Sequence, residues 1–506
     1  MKSFPRSAGV ALVCAASVLS TAAASAQGTT AAAPACDPGA SQAVAKASLF
    51  LQRAAQEVSA KQDASKDLKQ AIGALTTPGK ENDAVGRAYY LGQAYILYLQ
   101  QPGVQPVGQR SSYGIATDPN GTIDLFAAAD SAFTTVEAAK PGCKAELAQW
   151  REQKPWLDVL NQAINAVNSQ KYDSAQVYAT RALLLDRRAP YAYAVLASVA
   201  SNKKDYATAA ANLQKAVAAA SADTIYNDAK QNAMFDLANT YQLEYEAATG
   251  AAKAQPAEQS VAAWENVIAA GGRDARIAHA VAAAGQILTA QKDSALLPKV
   301  YAPILAAPTS YGDQTLLNAG VVATQAGHPA DAARFFDAVL THNPNQRDAL
   351  KNLAASYVAT NEPQKMFPIL DRLVVLDPNN ADNWLLYAYA YSGLLKSSKG
   401  NAKLTRAYTD SLVKYNTKSE KLTPVVTIKE FSFGGDDKTA TLAGTLENRG
   451  TTAKSYALQV EFLDKTGNVV GTQTVNVGPV APKASAPFKA TVQSDAAIAY
   501  RYKPLT

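Results

Sequence analysis

Three histidines, three cysteines and one acidic loop limit the chemistry open to this chain of 506 residues. His328 lies in Gly327-His328-Pro329, and His342 stands just before Asn343-Pro344. His279 sits in an alanine-rich stretch, so all three read as capping or packing residues and not as general bases. The sequence contains no G-x-S-x-G elbow, no H-E-x-x-H and no G-x-G-x-x-G. Gly73 to Lys80 is one position too long for a phosphate loop, and Glu81 stands where a magnesium-binding Ser or Thr belongs. Asp118-Pro119-Asn120-Gly121-Thr122-Ile123-Asp124 alternates oxygen side chains as a calcium loop does. Its glycine is displaced, however, and Ala129 fills the twelfth position, where a bidentate carboxylate should close the shell. The loop instead predicts an Asn-Gly turn, with Thr122 capping a helix that starts at Ile123. No catalytic residue, cofactor or metal is expected, and a hydrolase would lack base, nucleophile and metal set.

The cysteines have to be read with the N-terminus. Lys2 and Arg6, an apolar stretch from Ala8 to Leu19, and Ala24-Ser25-Ala26 predict a signal peptide over residues 1–26. As a membrane anchor the apolar run falls short of the ~20 residues that cross a bilayer. No transmembrane segment is expected after cleavage, and the expected location is the periplasm or outside the cell. Cleavage would remove Cys14, Lys2 and Arg6, leaving Cys36, Cys143 and a net charge of +4. That charge is too mild and dispersed for a nucleic-acid partner. Two cysteines in an exported chain favour one disulfide over two free thiols. Joined across 107 positions, they would restrict the unfolded chain by roughly 4–5 kcal/mol. The predicted role is a clasp between the N-terminal segment and the first helices.

Composition places these residues in a large folded chain. Hydrophobic residues make up 48% and charged ones 18%, which excludes intrinsic disorder. Residues 27–40 read as a linker of small residues, and 41–84 as two capping helices. From there to about 420 the pattern is helical. From Thr423 to Thr506 it changes to period-two alternation with glycine turns, predicting an antiparallel β-sandwich of five to seven strands.

Internal repetition organises the helical part. Tyr172 and Tyr206, Ala175 and Ala209, and Pro344 and Pro378 are each 34 residues apart. Gly320, Ala354 and Ala388 carry the step through three units, as do Leu316, Leu350 and Trp384. Small residues recur in Leu91-Gly92, Ala319-Gly320 and Leu353-Ala354. Ala129, Phe133, Val136 and Pro141 are matched by Ala332, Phe336, Val339 and Pro344. A small residue at a helix crossing admits close approach, and a large one beside it fills the hole. These residues resemble the tetratricopeptide repeat, a helix–turn–helix unit. The implied fold is an α-solenoid over 85–420 of about eight helix pairs, with an insertion at 101–121. Units are expected to begin near Val85, Trp156, Pro190, Asp313, Arg347 and Ala381, with two less regular pairs over 224–272 and 273–310.

The sandwich resembles the FxLYD family of small envelope domains in Gly444–Asn448 and in Val460-Glu461-Phe462-Leu463-Asp464 followed by Gly467. Val460, Phe462 and Leu463 stand where that family has Phe, Leu and Tyr.

The tetratricopeptide resemblance implies a non-enzymatic scaffold that binds a protein or peptide in a concave groove lined by first helices. The groove positions it implies are Tyr89, Gln93, Leu157, Leu160, Tyr191, Asn202, Leu317, Gln325, Lys351, Leu385 and Tyr389. Lys351 takes one place of the family's carboxylate clamp, but Ala355 and Val358 fill the asparagine places beside it. The alternative is glycan or cell-surface binding by the sandwich, with the solenoid as spacer. Residues 396–421 carry seven cations against Asp410 and Glu420, which suits an acidic partner or a solvated helix face.

Overall fold

A computed structural model describes residues 36–79, 83–152, 154–434 and 438–506. The expected signal peptide and residues 27–35 of the expected linker lie outside them. The chain divides into two compact units, ending and beginning at Ala247 and Ala248.

The first unit opens with α1 (Gln42–Ser59), α2 (Ser65–Thr76) and α3 (Ala84–Leu99). The Ser41 hydroxyl accepts from the Val44 N–H at 3.1 Å and so caps α1. In the inserted segment, β1 (Val107–Gln109) pairs antiparallel with β2 (Thr122–Asp124). Thr122 is therefore a strand residue and not the expected cap. The ladder to Val107–Gln109 engages the backbone of 122–124, and Asp124 caps α4 (Leu125–Ala139) by accepting from Phe126 N–H at 2.9 Å. A short helix that the repeat pattern does not foresee follows, α5 (Lys144–Arg151). Arg151 fixes it, pairing with Asp130 at 2.9 Å and Glu137 at 3.0 Å and donating to the Leu184 carbonyl at 3.0 Å. Then come α6 (Lys154–Asn168), α7 (Tyr172–Leu185), α8 (Pro190–Asn202), α9 (Tyr206–Ala220) and α10 (Asn227–Ala247).

Helix packing follows the repeat: α3 lies on α4, α6 on α7 and α8 on α9. A Cβ on Gly92 would stand 2.3 Å from the Phe133 ring, so α3 and α4 meet closely only because that residue is glycine. Cys36 and Cys143 are bonded, with Cα atoms 4.6 Å apart. The chain between Cys36 and α1 lies on α3, where a Cβ on Gly86 would meet the Gly39 carbonyl oxygen at 3.0 Å.

The second unit contains α11 (Ala254–Ala269), α12 (Ala275–Ala290), α13 (Leu297–Ala306), α14 (Asp313–Gln325) and α15 (Pro329–His342). It continues through α16 (Arg347–Ala359), α17 (Pro363–Leu376), α18 (Ala381–Ser397) and α19 (Ala402–Lys421). The two helices expected to pair over 224–272 thus fall in different units, α10 packing on α9 and α11 on α12. Of its 21 residues α10 buries Ala233, Ala238, Thr240 and Tyr241, a stripe narrow enough for α9 to cover. In α14–α15 the ring of Phe336 fills the space beside Gly320, where a Cβ would stand 2.5 Å away. Both units are built of tetratricopeptide-like helix pairs.

Six strands follow: β3 (Val425–Ser432), β4 (Thr439–Glu447), β5 (Lys454–Leu463), β6 (Val469–Val480), β7 (Ser485–Gln493) and β8 (Ala499–Tyr502). They form two antiparallel sheets of order β3-β4-β7 and β6-β5-β8. Val426, Leu442, Leu458, Val460 and Phe462 are fully buried in the core between them. At the β5–β6 hairpin the Asp464 carboxylate accepts from the Thr466 and Asn468 N–H groups at 2.8 and 2.9 Å. The Thr466 hydroxyl, which donates to the same carboxylate at 2.7 Å, is the main cause that holds its pKa down to about 2, helped by those backbone bonds.

Two inter-repeat turns seat the sandwich. At the α17–α18 turn the buried Asp377 carboxylate is bonded to Arg347 at 2.8 Å and accepts from the Tyr502 hydroxyl and, at 3.0 Å, from Asn380. Asn379 donates to the Pro424 and Leu505 carbonyls at 3.1 and 3.0 Å, and its carbonyl accepts from Val426 N–H at 2.8 Å. One repeat earlier, Asn343 donates to the Ile498 carbonyl at 3.0 Å. Asn343 and Asp377 are 34 positions apart. The docking therefore repeats with the solenoid.

Candidate functional site

The first helices of the second unit share one uncovered face. Among the exposed or half-buried residues of α14, Gln314, Leu317, Val321 and Thr324 follow one another at steps of three and four. Thirty-four residues on, α16 presents Asp348, Lys351, Ala355 and Val358, and α18 presents Asp382, Leu385, Tyr389 and Ser392. Spacings of three and four place each set on one side of its helix. Val321 is 39% exposed, Val358 41% and Tyr389 50%. Val321, Ala355 and Tyr389 occupy matching repeat positions and form one apolar row across three helices, large at its two ends and small in the middle, with Val358 beside it. The charged groups at its edge are partnered: Lys351 bonds Asp382 at 2.9 Å and Arg347 bonds Asp348 at 2.6 Å. The face thus carries an apolar row flanked by polar side chains, and the charged ones are paired.

Of the expected groove residues in this unit, Leu317, Lys351, Leu385 and Tyr389 lie on the strip. Gln325 is exposed at the end of α14, its amide oxygen 3.5 Å from the Thr289 hydroxyl. Ala355 and Val358, read from the sequence as filling the clamp places beside Lys351, lie there too, and Val321, which was not named, is reached by stepping back 34 from Ala355.

In the first unit the expected positions separate. Leu157 is 49% exposed, Asn202 is exposed at the end of α8, and Tyr191 is half-buried with its ring edge-on to Tyr226 at 6.0 Å. Tyr89, Gln93 and Leu160 are buried and present no surface to a partner, which corrects their expected place in a groove. The reason at Tyr89 is α5: its Glu146 carboxylate accepts from the Tyr89 hydroxyl. Burial and that carboxylate hold the phenol well above its ordinary pKa. Nothing in the 34-residue pattern announces an extra helix over α3. Ile225, 60% exposed, extends the Leu157–Tyr191 row by one more step of 34.

The histidines make local contacts. His328 Nδ1 lies 2.6 Å from the Tyr301 hydroxyl, with Asp331 beside it, and burial followed by Asp331 pushes that tyrosine up to about 12. His342 Nδ1 lies 2.8 Å from Asp313, and the His279 ring stands edge-on to Trp264 at 5.3 Å. Gly73 lies inside α2. Among the described residues no three His, Cys, Asp or Glu side chains are grouped as a metal site, and no helix is long and apolar enough to cross a membrane.

The sequence matches no described family and no curated protein. Among solved structures it is similar to a tetratricopeptide repeat protein from Parabacteroides merdae ATCC 43184, at 12% identity and a TM-score of 0.26, over 52% of this chain and 98% of that one. It is similar also to YrrB, described as a TPR protein with an unusual peptide-binding site, at 15% identity and a TM-score of 0.22, over 56% and 99% of the two chains. A third is the TPR2AB domain of yeast Sti1 in complex with pHSP90, at 14% identity and a TM-score of 0.18, over 51% and 98%.

Proposed function

We propose that this chain is a non-enzymatic, exported interaction scaffold, and that the face formed by α14, α16 and α18 binds an extended, largely uncharged segment of a protein partner. The row of Val321, Ala355 and Tyr389 carries this reading. Side chains of this size cost solvation free energy when left in water, and a row repeated at the helical step offers a continuous apolar line to an extended chain. Tyr389 adds a rigid ring with a polar tip, a residue type enriched where partners anchor. Export is supported by the Cys36–Cys143 bond, which belongs to an oxidising compartment. The sandwich serves as the fixed end of the array, held on the turns at 343 and 377 and not hung on a tether.

Photo-crosslinking residues placed at 321 and at 389 in cells test this reading. Val375, 60% exposed on the second helix α17, is the control position. A protein adduct at 321 and 389 that is absent at 375 is expected. Equal adducts at all three positions, or none at 321 and 389, would overturn the assignment of the face.

A further inference from the structure

The last helix, α19, turns a row of unpaired cations away from the fold. Its inner side is packed: Tyr415 stacks on Tyr387 at 4.6 Å and lies 5.7 Å from Tyr391, and the Ser419 hydroxyl donates to the Ala381 carbonyl at 2.8 Å. The opposite side carries Lys403, Arg406, Lys414 and Lys421, with Lys418 at its flank over the Trp384 ring of α18. All five are exposed, Asp410 lies within the row and the exposed Glu420 beside its end. Among the described residues no carboxylate pairs with any of these five cations. Lys414 and Lys418 lie over rings instead, and burial together with Lys414 lowers the pKa of Lys418. Like charges at three- and four-residue steps repel one another, so the row is a site of stored positive potential that a counter-charge relieves. From Lys403 to Lys421 it runs about 27 Å at 1.5 Å per residue.

We propose that this outer face of α19 docks an acidic protein segment, one with several Asp or Glu side chains within about eight extended residues. Charge complementarity selects an anion. The orientation of the helix selects protein over lipid. A helix that lies on a membrane buries its apolar side among the acyl chains. Here most of that side, Tyr408, Leu412 and Tyr415, is turned inward. The exposed Leu404 and Val413 stand nine residues apart, on opposite sides of the helix, and make no apolar face. Asp410 stands mid-row where lipid phosphates would press. The proposal is independent of the strip on α14, α16 and α18.

The test uses the full chain and fluorescein-labelled octaglutamate, followed by anisotropy at low ionic strength. Lys403→Gln, Arg406→Gln, Lys414→Gln and Lys421→Gln together are expected to weaken binding about tenfold or more. The matched neutralisation of exposed Lys46, Lys140, Lys215 and Lys292 should leave it within about twofold. Asp410→Lys should tighten binding, a gain that misfolding cannot mimic. Equal loss in both quadruple variants, no gain with Asp410→Lys, or capture of phosphatidylglycerol vesicles without capture of octaglutamate would each overturn the proposal.

Discussion

In residues 36–247 the segment preceding the repeats is bonded to them through Cys36 and Cys143, whereas in residues 248–506 the domain following them is held by an aspartate, an arginine and a tyrosine. The covalent clasp acts mainly on the unfolded chain, by shortening it. The polar lock acts on the folded state, and its strength depends on every member being present. The faces of the first helices differ in the same two regions. The first unit shows its apolar row, Leu157, Tyr191 and Ile225, at the entry of the helices, while the second shows Val321, Ala355 and Tyr389 at their middle. One repeat register thus carries two surfaces, and the difference lies in which turn of the helix is left uncovered.

Breaking the clasp should produce the largest loss. Reduction, or Cys36→Ser with Cys143→Ser, frees a loop of 107 positions and should cost roughly 4–5 kcal/mol. Calorimetry with and without reductant checks this, and an unchanged transition would deny the bond any role in stability. Breaking the lock should follow closely. Asp377→Ala leaves the largely buried Arg347 with only the exposed Asp348 and removes the acceptor of the Tyr502 hydroxyl, at about 3–5 kcal/mol. Arg347 is held in its charged form: burial opposes the charge most, but Asp377, Tyr500 and Asp348 together outweigh it and raise the pKa. A urea midpoint equal to that of the parent chain would mean that the sandwich is seated without Asp377, by the Asn343 and Asn379 bonds and apolar contact.

How legible these regions were depends on whether they obey the repeat. The strands, the starts of the helices at Pro190, Asp313, Arg347 and Ala381, and the partner of Cys36 all follow from local pattern or counting. The burial of Tyr89 did not, because α5, whose Glu146 takes its hydroxyl, is an addition to the repeat unit. The lock was equally hidden. Asp377 looks like an ordinary turn residue before Pro378, and its partners Arg347 and Tyr502 lie 30 and 125 residues away. Sequence spacing reports contacts that recur. It is silent on those made once.

A matched pair of substitutions compares the helix packing of the two units. Leu213 and Leu370 each stand 16 positions after the small residue of their first helix, Ala197 and Ala354. Leu213 belongs to a small cluster with Ala197, Ala216 and Ala233, whereas Leu370 is fully buried. Truncation to alanine should cost about 2–5 kcal/mol at either site, nearer the top of that range at Leu370, where less of the cavity can collapse. Chemical denaturation of both variants decides it. A near-neutral Leu213→Ala would place the repeat phase of the first unit in error.

The smallest expected effect separates the lock from the clasp by pH. Tyr500 and Tyr502 are almost wholly buried, and burial, joined at Tyr502 by Asp377, raises both phenols well above their ordinary value. The folded chain keeps these protons when the unfolded chain, with phenols near ~10, begins to lose them. Their contribution to stability is therefore fully present below about pH 10 and declines as pH rises beyond it, by up to about 1.4 kcal/mol per pH unit for each phenol. Tyr502→Phe removes one such group. It should lower stability at neutral pH through the lost bond to Asp377, by about 1–3 kcal/mol, yet flatten the alkaline decline. The disulfide carries no proton, so the double serine variant should keep the parent slope at a lower level. Urea midpoints between pH 8 and 11 for the three proteins make the comparison. Parallel slopes for the parent and Tyr502→Phe would remove the phenol from the lock.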